Sequence, residues 1–360
     1  MVTARRTPRP WTIALLAGLG VALGGCFNVP TYSDFQLNIS PFDNTYLNRG
    51  EATMEVWLMP GYTCPDEETA RLYLIYSNTI ETPAPLALVL HAEPFDYVRS
   101  DGTAFSSQVG EERLTVDWAA LTAEKMMGIR DSGAGAFKPG ALVASLVREG
   151  FYVVVPTNCW GDLWHGTGDN DYTEGFLRYG LYLADDSVKW AQSRVDTDPE
   201  RVLLAGLAEG GRGIVDMVGY GWTDAAILID SSPDYLPPLF GDPQNDEFIE
   251  GLEKIYGRGE LTDEEFKTKL GEVSLYYEVS QGYVAPTIYL YSANDDFVSV
   301  ELSRPAKNAI EDRYPPGMYF PEMETAESRH IITNNHRSKA EEVVEWLVDG
   351  WDDGFPAPTE

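Results

Sequence analysis

Basic residues are scarce in this chain. Its 360 residues carry 26 Lys and Arg against 57 Asp and Glu, a formal net charge of −31. A surface this acidic repels phosphate backbones and argues against a nucleic-acid partner. Histidine is rare as well, with 4 in all, so candidates for a general base are few. Long apolar runs are lacking too. The stretch WTIALLAGLGVALGG is too short and too glycine-rich for a comfortable transmembrane span. No internal repeat or low-complexity tract breaks the sequence. What is present is ordinary apolar content with 9 Trp and 20 Tyr, ample for a core. The length suits one large α/β domain with insertions, or two small domains.

The first ten residues, MVTARRTPRP, hold Arg5, Arg6 and Arg9 and no acid, and the short apolar stretch follows directly. Residues 1–25 therefore read as a targeting leader. The segment ends in Leu23, Gly24, Gly25 and Cys26, small residues just before a cysteine, which resembles the lipobox of bacterial lipoproteins. The resemblance implies cleavage before Cys26 and lipid on that cysteine, so that the chain meets a membrane only through this anchor. Phe27 follows, and no aspartate holds the protein at the inner membrane, so the resemblance implies an extracytoplasmic place on the outer membrane. With Cys26 lipidated, Cys64 and Cys159 remain as an even pair in an oxidising compartment, either bridged or as two buried thiols. Residues 26–50 mix polar residues, Pro and Asn without periodicity and read as a tether.

From residue 51 onward strand-like and helix-like segments alternate. ATMEVWLM, ARLYLIYS, PLALVLHAEPF, FYVVVP, RVLLAG, AAILID and TIYLYS read as strands, and GMYFPEM as a further one. Several are continuously apolar, as expected of strands buried on both faces. PGALVASLVREG and GLYLADDSVKWAQSR read as amphipathic helices. A polar insertion at residues 98–137 is expected to hold one short helix near VDWAALTAEKMMG. The last helix, SKAEEVVEWLVDG, is expected to start on a Ser338/Glu341 capping box and to end at Gly350. The fold class that follows is α/β, a mostly parallel sheet with helices on both faces. The domain is expected over residues 51–355. Residues 233–284 carry two acidic helical segments, DPQNDEFIEGLEKIYG and LTDEEFKTKLGEV, the second opening on a Thr262/Glu265 capping box. An insertion there reads as a small helical cap over the C-terminal edge of the sheet, where open α/β sheets bind ligands.

Four stretches carry chemistry: LVLHAEPF, GFYVVVPTNCWGD, DPERVLLAGLAEGG, and APTIYLYSANDDFVS followed by ESRHIITNN. Their order resembles the α/β-hydrolase family, in its prolyl-oligopeptidase-like and acetylesterase-like branches, over roughly residues 70–350. The family's elbow, G-x-S-x-G, is a strained turn that lifts a serine oxygen above the sheet. Here it reads Gly206, Leu207, Ala208, Glu209, Gly210, and no Ser, Cys or Asp lies between Val202 and Val215. A methyl group cannot attack a carbonyl, so the elbow is built but unarmed. The resemblance implies Asp295 as the acid, with Asp296 as fallback, and His330 as the base, with His336 placed nearer a helix cap. The amides of Glu209 and of the turn at Ala92 and Glu93 would form the oxyanion hole. Glu93 and Glu209 are unusual there, because carboxylates oppose the charge such a pocket stabilises.

Ser231, Ser232 and Ser292 stand near the same sheet edge as candidates for a relocated nucleophile, and turn positions explain them better. The loop holding Asp162, His165, Asp169 and Asp171 does not have EF-hand spacing, so it reads as a solvated acidic loop. Trp160, Trp164 and Tyr172 read as core packing more readily than as a cleft lining. No metal or cofactor is expected. The expectation is a catalytically impaired hydrolase-fold protein of the cell envelope that binds a small ligand or an envelope protein in its former active-site cleft. The alternative is an active esterase or peptidase using a relocated nucleophile, or water activated by His330 and Asp295.

Overall fold

The structure is a computed structural model. It describes residues 36–44, 47–63, 69–91, 97–98, 103–105, 114–115, 140–156, 181–207, 209–219, 221–222, 225–230, 253, 258–271, 274–295, 300–326 and 332–356. The strands are β1 (Gln36–Asn44), β2 (Leu47–Thr63), β3 (Thr69–Ser77), β4 (Ala84–His91), β5 (Tyr97–Val98), β6 (Thr103–Phe105), β7 (Leu114–Thr115), β8 (Tyr152–Pro156), β9 (Thr197–Leu207), β10 (Ala226–Asp230), β11 (Thr287–Ser292) and β12 (Glu324–Thr325). The helices are α1 (Gly140–Arg148), α2 (Leu181–Arg194), α3 (Glu209–Gly219), α4 (Asp263–Gly271), α5 (Leu275–Ser280), α6 (Val300–Arg313), α7 (Ile332–Asn335) and α8 (Arg337–Asp353).

Nine strands form one sheet in the order β1-β2-β3-β8-β4-β9-β10-β11-β12. The first three and β8 pair antiparallel in succession, and from β8 onward every pairing is parallel. The apolar, non-alternating segments behave as expected. Every residue of β8, β10 and β11 is buried, as are Leu86 to Leu90 of β4. A strand can be buried throughout only if both faces of the sheet are covered. Two helical groups supply the cover. α1, α7 and α8 pack with one another, and α2, α3, α5 and α6 form a second contiguous set.

Three expectations change in detail. Residues 36–44 and 47–50 are paired strands, not tether: β1 lies against β2 with Ser40 opposite Met54 and Phe42 opposite Ala52. Pro and Asn hid this, because a strand at the edge of a sheet tolerates residues that a central one does not. GMYFPEM is not a strand. Only Tyr319 bridges Thr287, and the short β12 follows it. Pro321 and Gly317 interrupt the pleat there.

The last helix also departs from expectation at both ends. His336 is its N-cap residue, Ser338 lies inside the helix, and Glu341 pairs with Arg337 rather than closing a capping box. The helix then runs through Gly350 to Asp353. At Gly350 an added Cβ would meet the Phe355 ring at 2.0 Å. This glycine therefore makes room for the returning tail, which packs Phe355 on Trp346 at 5.3 Å between ring centroids.

The expected Thr262/Glu265 box on α4 forms, with Thr262 N donating to Glu265 Oε2 and Glu265 N to Thr262 Oγ1. Of the cap expected at residues 233–284, α4 and α5 lie within the described residues. The helix expected at residues 242–257 lies outside them apart from Glu253. The helix expected at residues 116–128 also lies outside. What is described of that insertion is the small antiparallel sheet β5-β6-β7. Cys26, Cys64 and Cys159 lie outside the described residues too.

Candidate active site

Strand register brings the site's sequence segments to one edge. His91 pairs with Leu207, Leu207 with Asp230, and Asp230 with Leu290. The parallel strands β4, β9, β10 and β11 therefore end nearly level, at the edge where open α/β sheets carry their ligands. The segments expected to hold the oxyanion turn, the elbow and the acid follow β4, β9 and β11 of this row.

The elbow is built by close approach. One residue, position 208, separates the end of β9 at Leu207 from the start of α3 at Glu209. A chain that turns from strand to helix in so short a step must bring the helix backbone onto the strand. Gly206 records it: a Cβ there would stand 2.5 Å from Gly210 O, 2.5 Å from Gly211 Cα and 2.6 Å from Gly211 N. No real side chain fits in that gap, so glycine is required by contact with backbone. Ala208 itself lies outside the described residues, but the chain's bounds leave it alone at the junction. Glu209 opens α3, where a helix's first amides have no partner within the helix. Ala92 and Glu93 lie outside the described residues, directly after His91.

Below the junction α3 buries an ion pair. Arg212 Nη2 donates to Asp216 Oδ1 at 2.9 Å, with Arg212 1 % and Asp216 8 % exposed. Burial pushes the Asp216 carboxyl above its ordinary value, while the Arg212 guanidinium pulls it down. Asp216 Oδ2 has no hydrogen-bond partner among the described residues. The sequence signal for this pair is Arg and Asp four apart in a helix whose other positions, after Glu209, are apolar or glycine.

On the other side of the edge, Asp295 stands in the turn after β11, half-buried, with its N–H directed at Ser292 O at 3.4 Å. Ser292 is 1 % exposed, and its Oγ accepts from Asn294 N at 3.1 Å. This serine holds a turn and is not displayed as a nucleophile. Asp296, Ser231, Ser232 and His330 lie outside the described residues, as does the loop bearing Asp162, His165, Asp169 and Asp171 with Trp160, Trp164 and Tyr172.

The residues that follow His330 are described, and they are anchored by a group that sequence reasoning passed over. Asp230, fully buried at the end of β10, accepts from Ile332 N at 3.1 Å, from Thr333 N at 2.7 Å and from Thr333 Oγ1 at 2.5 Å. Its sequence signal is an acid closing the apolar run AAILID. A carboxylate at the end of a buried strand needs donors, and a long-range partner supplies them. Among the described residues no group of His, Cys, Asp and Glu is placed to hold a metal ion. None of the described helices is long and apolar enough to cross a membrane.

No family model matches the sequence, and no curated protein does. Solved structures do. A puromycin-hydrolysing peptidase from Mycobacterium tuberculosis matches 87% of this chain and 41% of its own, with 14% identity and a TM-score of 0.51. An S-formylglutathione hydrolase from Agrobacterium tumefaciens matches 87% of this chain and 98% of its own, with 11% identity and a TM-score of 0.50. The chain thus spans less than half the length of the peptidase and nearly all of the smaller hydrolase. Identities this low speak for architecture alone, and together with the strand order and the elbow they give the chain an α/β-hydrolase fold.

Proposed function

We propose that this chain is a catalytically impaired α/β-hydrolase-fold protein, held on the outer membrane through lipid on Cys26, that binds a ligand or an envelope partner over the C-terminal edge of its sheet. One observation carries the reading: the single residue between β9 and α3 is Ala208. A nucleophilic route needs an oxygen or sulfur at that point, and removing the nucleophile from a serine hydrolase costs on the order of a millionfold in turnover. Ser292, the described member of the candidate replacements, is committed to its turn. The elbow's remaining geometry supports retention of a cleft that binds without attacking. The test is incubation with a fluorophosphonate probe. No stable adduct is expected on any serine, and a labelled serine overturns the reading.

A second reading has its own support. Asp295 holds the end of β11, and the segment after His330 is docked on the sheet edge. An acid at that edge, with His330 two residues before the docked Ile332 in sequence, suits water activation, and both structural neighbours are named for hydrolysis, one of them as a peptidase. Turnover of short-chain nitrophenyl esters or short peptides that vanishes in His330→Ala would favour this reading over the first. Ala208→Ser adds a sharper measurement. In an intact cleft it restores labelling by the fluorophosphonate, whereas complete inertness indicates an oxyanion hole that no longer works.

A further inference from the structure

We infer that Asn294 is a positioning residue: its side-chain amide ties the turn that carries Asp295 to the end of β12. The inference rests on the reading of Asp295 as the acid of the site, and it concerns what holds that acid at the sheet edge.

Two residues stand between Ser292, the last of β11, and Asp295. A chain that leaves a buried strand in so short a turn brings backbone amides with it, and they need acceptors. Ser292 supplies the nearest. Its Oγ accepts from Asn294 N at 3.1 Å, and Asp295 N is directed at its carbonyl oxygen at 3.4 Å. Those contacts stay within the turn and set its shape. Its place is set from β12. Ala293 N donates to Thr325 O at 2.9 Å, and Asn294 Nδ2 donates to Ala326 O at 3.2 Å across 32 positions of sequence. β12 is itself held. Tyr291 Oη donates to Glu324 Oε2 at 3.0 Å, and Arg304 Nη2 of α6 donates to Glu324 Oε1 at 2.9 Å. The Asn294 bond therefore joins the residue directly before Asp295 to a strand that is fixed on its own account.

Exposure separates this tie from a core contact. Asn294 and Ala326 are both exposed. Water takes the place of either partner when the other is lost, so breaking the bond strands no buried group and costs little stability. What it releases is one side of the turn. A site residue needs its place held to within about 0.5 Å, and an exposed turn obtains that from cross-links to fixed neighbours.

The experiment is nuclear magnetic resonance of the full chain labelled with nitrogen-15 and carbon-13, on the wild type and on Asn294→Ala. The Ala326 carbonyl signal reports the bond itself, from a residue remote in sequence from the substitution, and the order parameter of the Asp295 amide reports how firmly the turn is held. In Asn294→Ala the Ala326 signal is expected to move by more than its line width. The Asp295 order parameter is expected to fall from about 0.85, a rigid backbone, toward about 0.6, a flexible one, while the amides of Tyr289 and Leu290 in β11 keep theirs. Asn294→Gln keeps an amide donor and is expected to hold Asp295 above its value in Asn294→Ala. An Asp295 order parameter unchanged in Asn294→Ala overturns the inference, and so does an unmoved Ala326 signal. A fall shared by Tyr289 and Leu290, which marks a general loosening, overturns it too, as does an equal fall in Asn294→Gln. The measurement needs neither ligand nor turnover. Ester turnover that survives Asp295→Asn would instead end the reading of Asp295 as the acid, with the order parameters still as expected.

Discussion

Two points on the sheet's C-terminal edge are held by opposite means. At the β9–α3 junction the chain removes side chains: Gly206 lets the helix backbone come within what would be a bonding collision for any Cβ. At the β10–α7 contact it adds one, the Asp230 carboxylate, which accepts from three donors of Ile332 and Thr333 at the start of α7, far away in sequence. The first device is local and steric and depends on the six consecutive residues 206–211. The second is long-range and polar and depends on a partner that no short motif contains. Neither device uses the side chain at position 208.

The largest expected effect tests whether the elbow side is purely steric. Its helix also buries Arg212 against Asp216. Arg212→Met leaves a buried carboxylate without its cation, and stranding one member of such a pair costs roughly 3–5 kcal/mol. The double variant Arg212→Met with Asp216→Leu removes both charges and is expected to recover most of that loss, as read by urea denaturation. Asp216 also gives a sign in pH. Burial raises its carboxyl in the folded chain, so the native state holds this proton more tightly than the unfolded one. Its contribution therefore favours folding at low pH and is lost as pH rises from about 4, the ordinary Asp value, toward the raised native value. Asp216→Asn is expected to flatten the wild-type stability profile across that window, and an unchanged slope would show that Asp216 is not responsible.

Asp230→Ala comes next and strikes the polar side. It strands two amides and a hydroxyl, each at about 1–3 kcal/mol if buried without a partner. Local relaxation and water entry keep the sum below full additivity, so a loss of about 3 kcal/mol is expected in the same denaturation experiment. Gly206→Ala then strikes the steric side. The collision is with backbone, which cannot swing away as a side chain can. Overpacking typically costs about 1–3 kcal/mol, and the upper part of that range is expected. If Gly206→Ala instead cost less than about 0.5 kcal/mol, the close approach of helix to strand would be wrong, and the contrast between the two sides with it.

This contrast also explains what the sequence disclosed. The elbow was legible because its cause is local: glycines at positions 206, 210 and 211 after an apolar run state the turn directly. The sheet was legible for the same reason, since β8, β10 and β11 are apolar at almost every position. Asp230 was passed over because an acid closing AAILID reads as a turn residue until Ile332 and Thr333 are seen to donate to it. The edge strand β1 was missed because a strand paired on one side need not carry an apolar pattern. Gly350 misled because glycine after a helical run signals an end, and here its use is to admit Phe355. Asp230 depends on a partner about a hundred residues away, β1 on being paired on one side alone, and Gly350 on a tail that turns back five residues later.

The smallest effect calibrates the others at a site away from the edge. The capping box of α4 is local, exposed and fully legible: Thr262 Oγ1 accepts from Glu265 N at 3.3 Å, and Glu265 Oε2 accepts from Thr262 N at 2.8 Å. Those bonds hold the Glu265 carboxyl below its ordinary value, first through the Thr262 amide and then through its hydroxyl. Removing a Thr cap typically costs about 1 kcal/mol, and an exposed helix of 9 residues that can fray on its own loses no more. Thr262→Ala is therefore expected to shift the urea midpoint slightly and to leave the slope unchanged. Amide exchange should quicken within Asp263–Gly271 and stay as slow as before in β10 and α7. Faster exchange at Ile332 or Thr333 in this variant would mean that α4 and α7 unfold as one unit. The anchor at Asp230 would then be part of a larger cooperative element and not a device separable from α4.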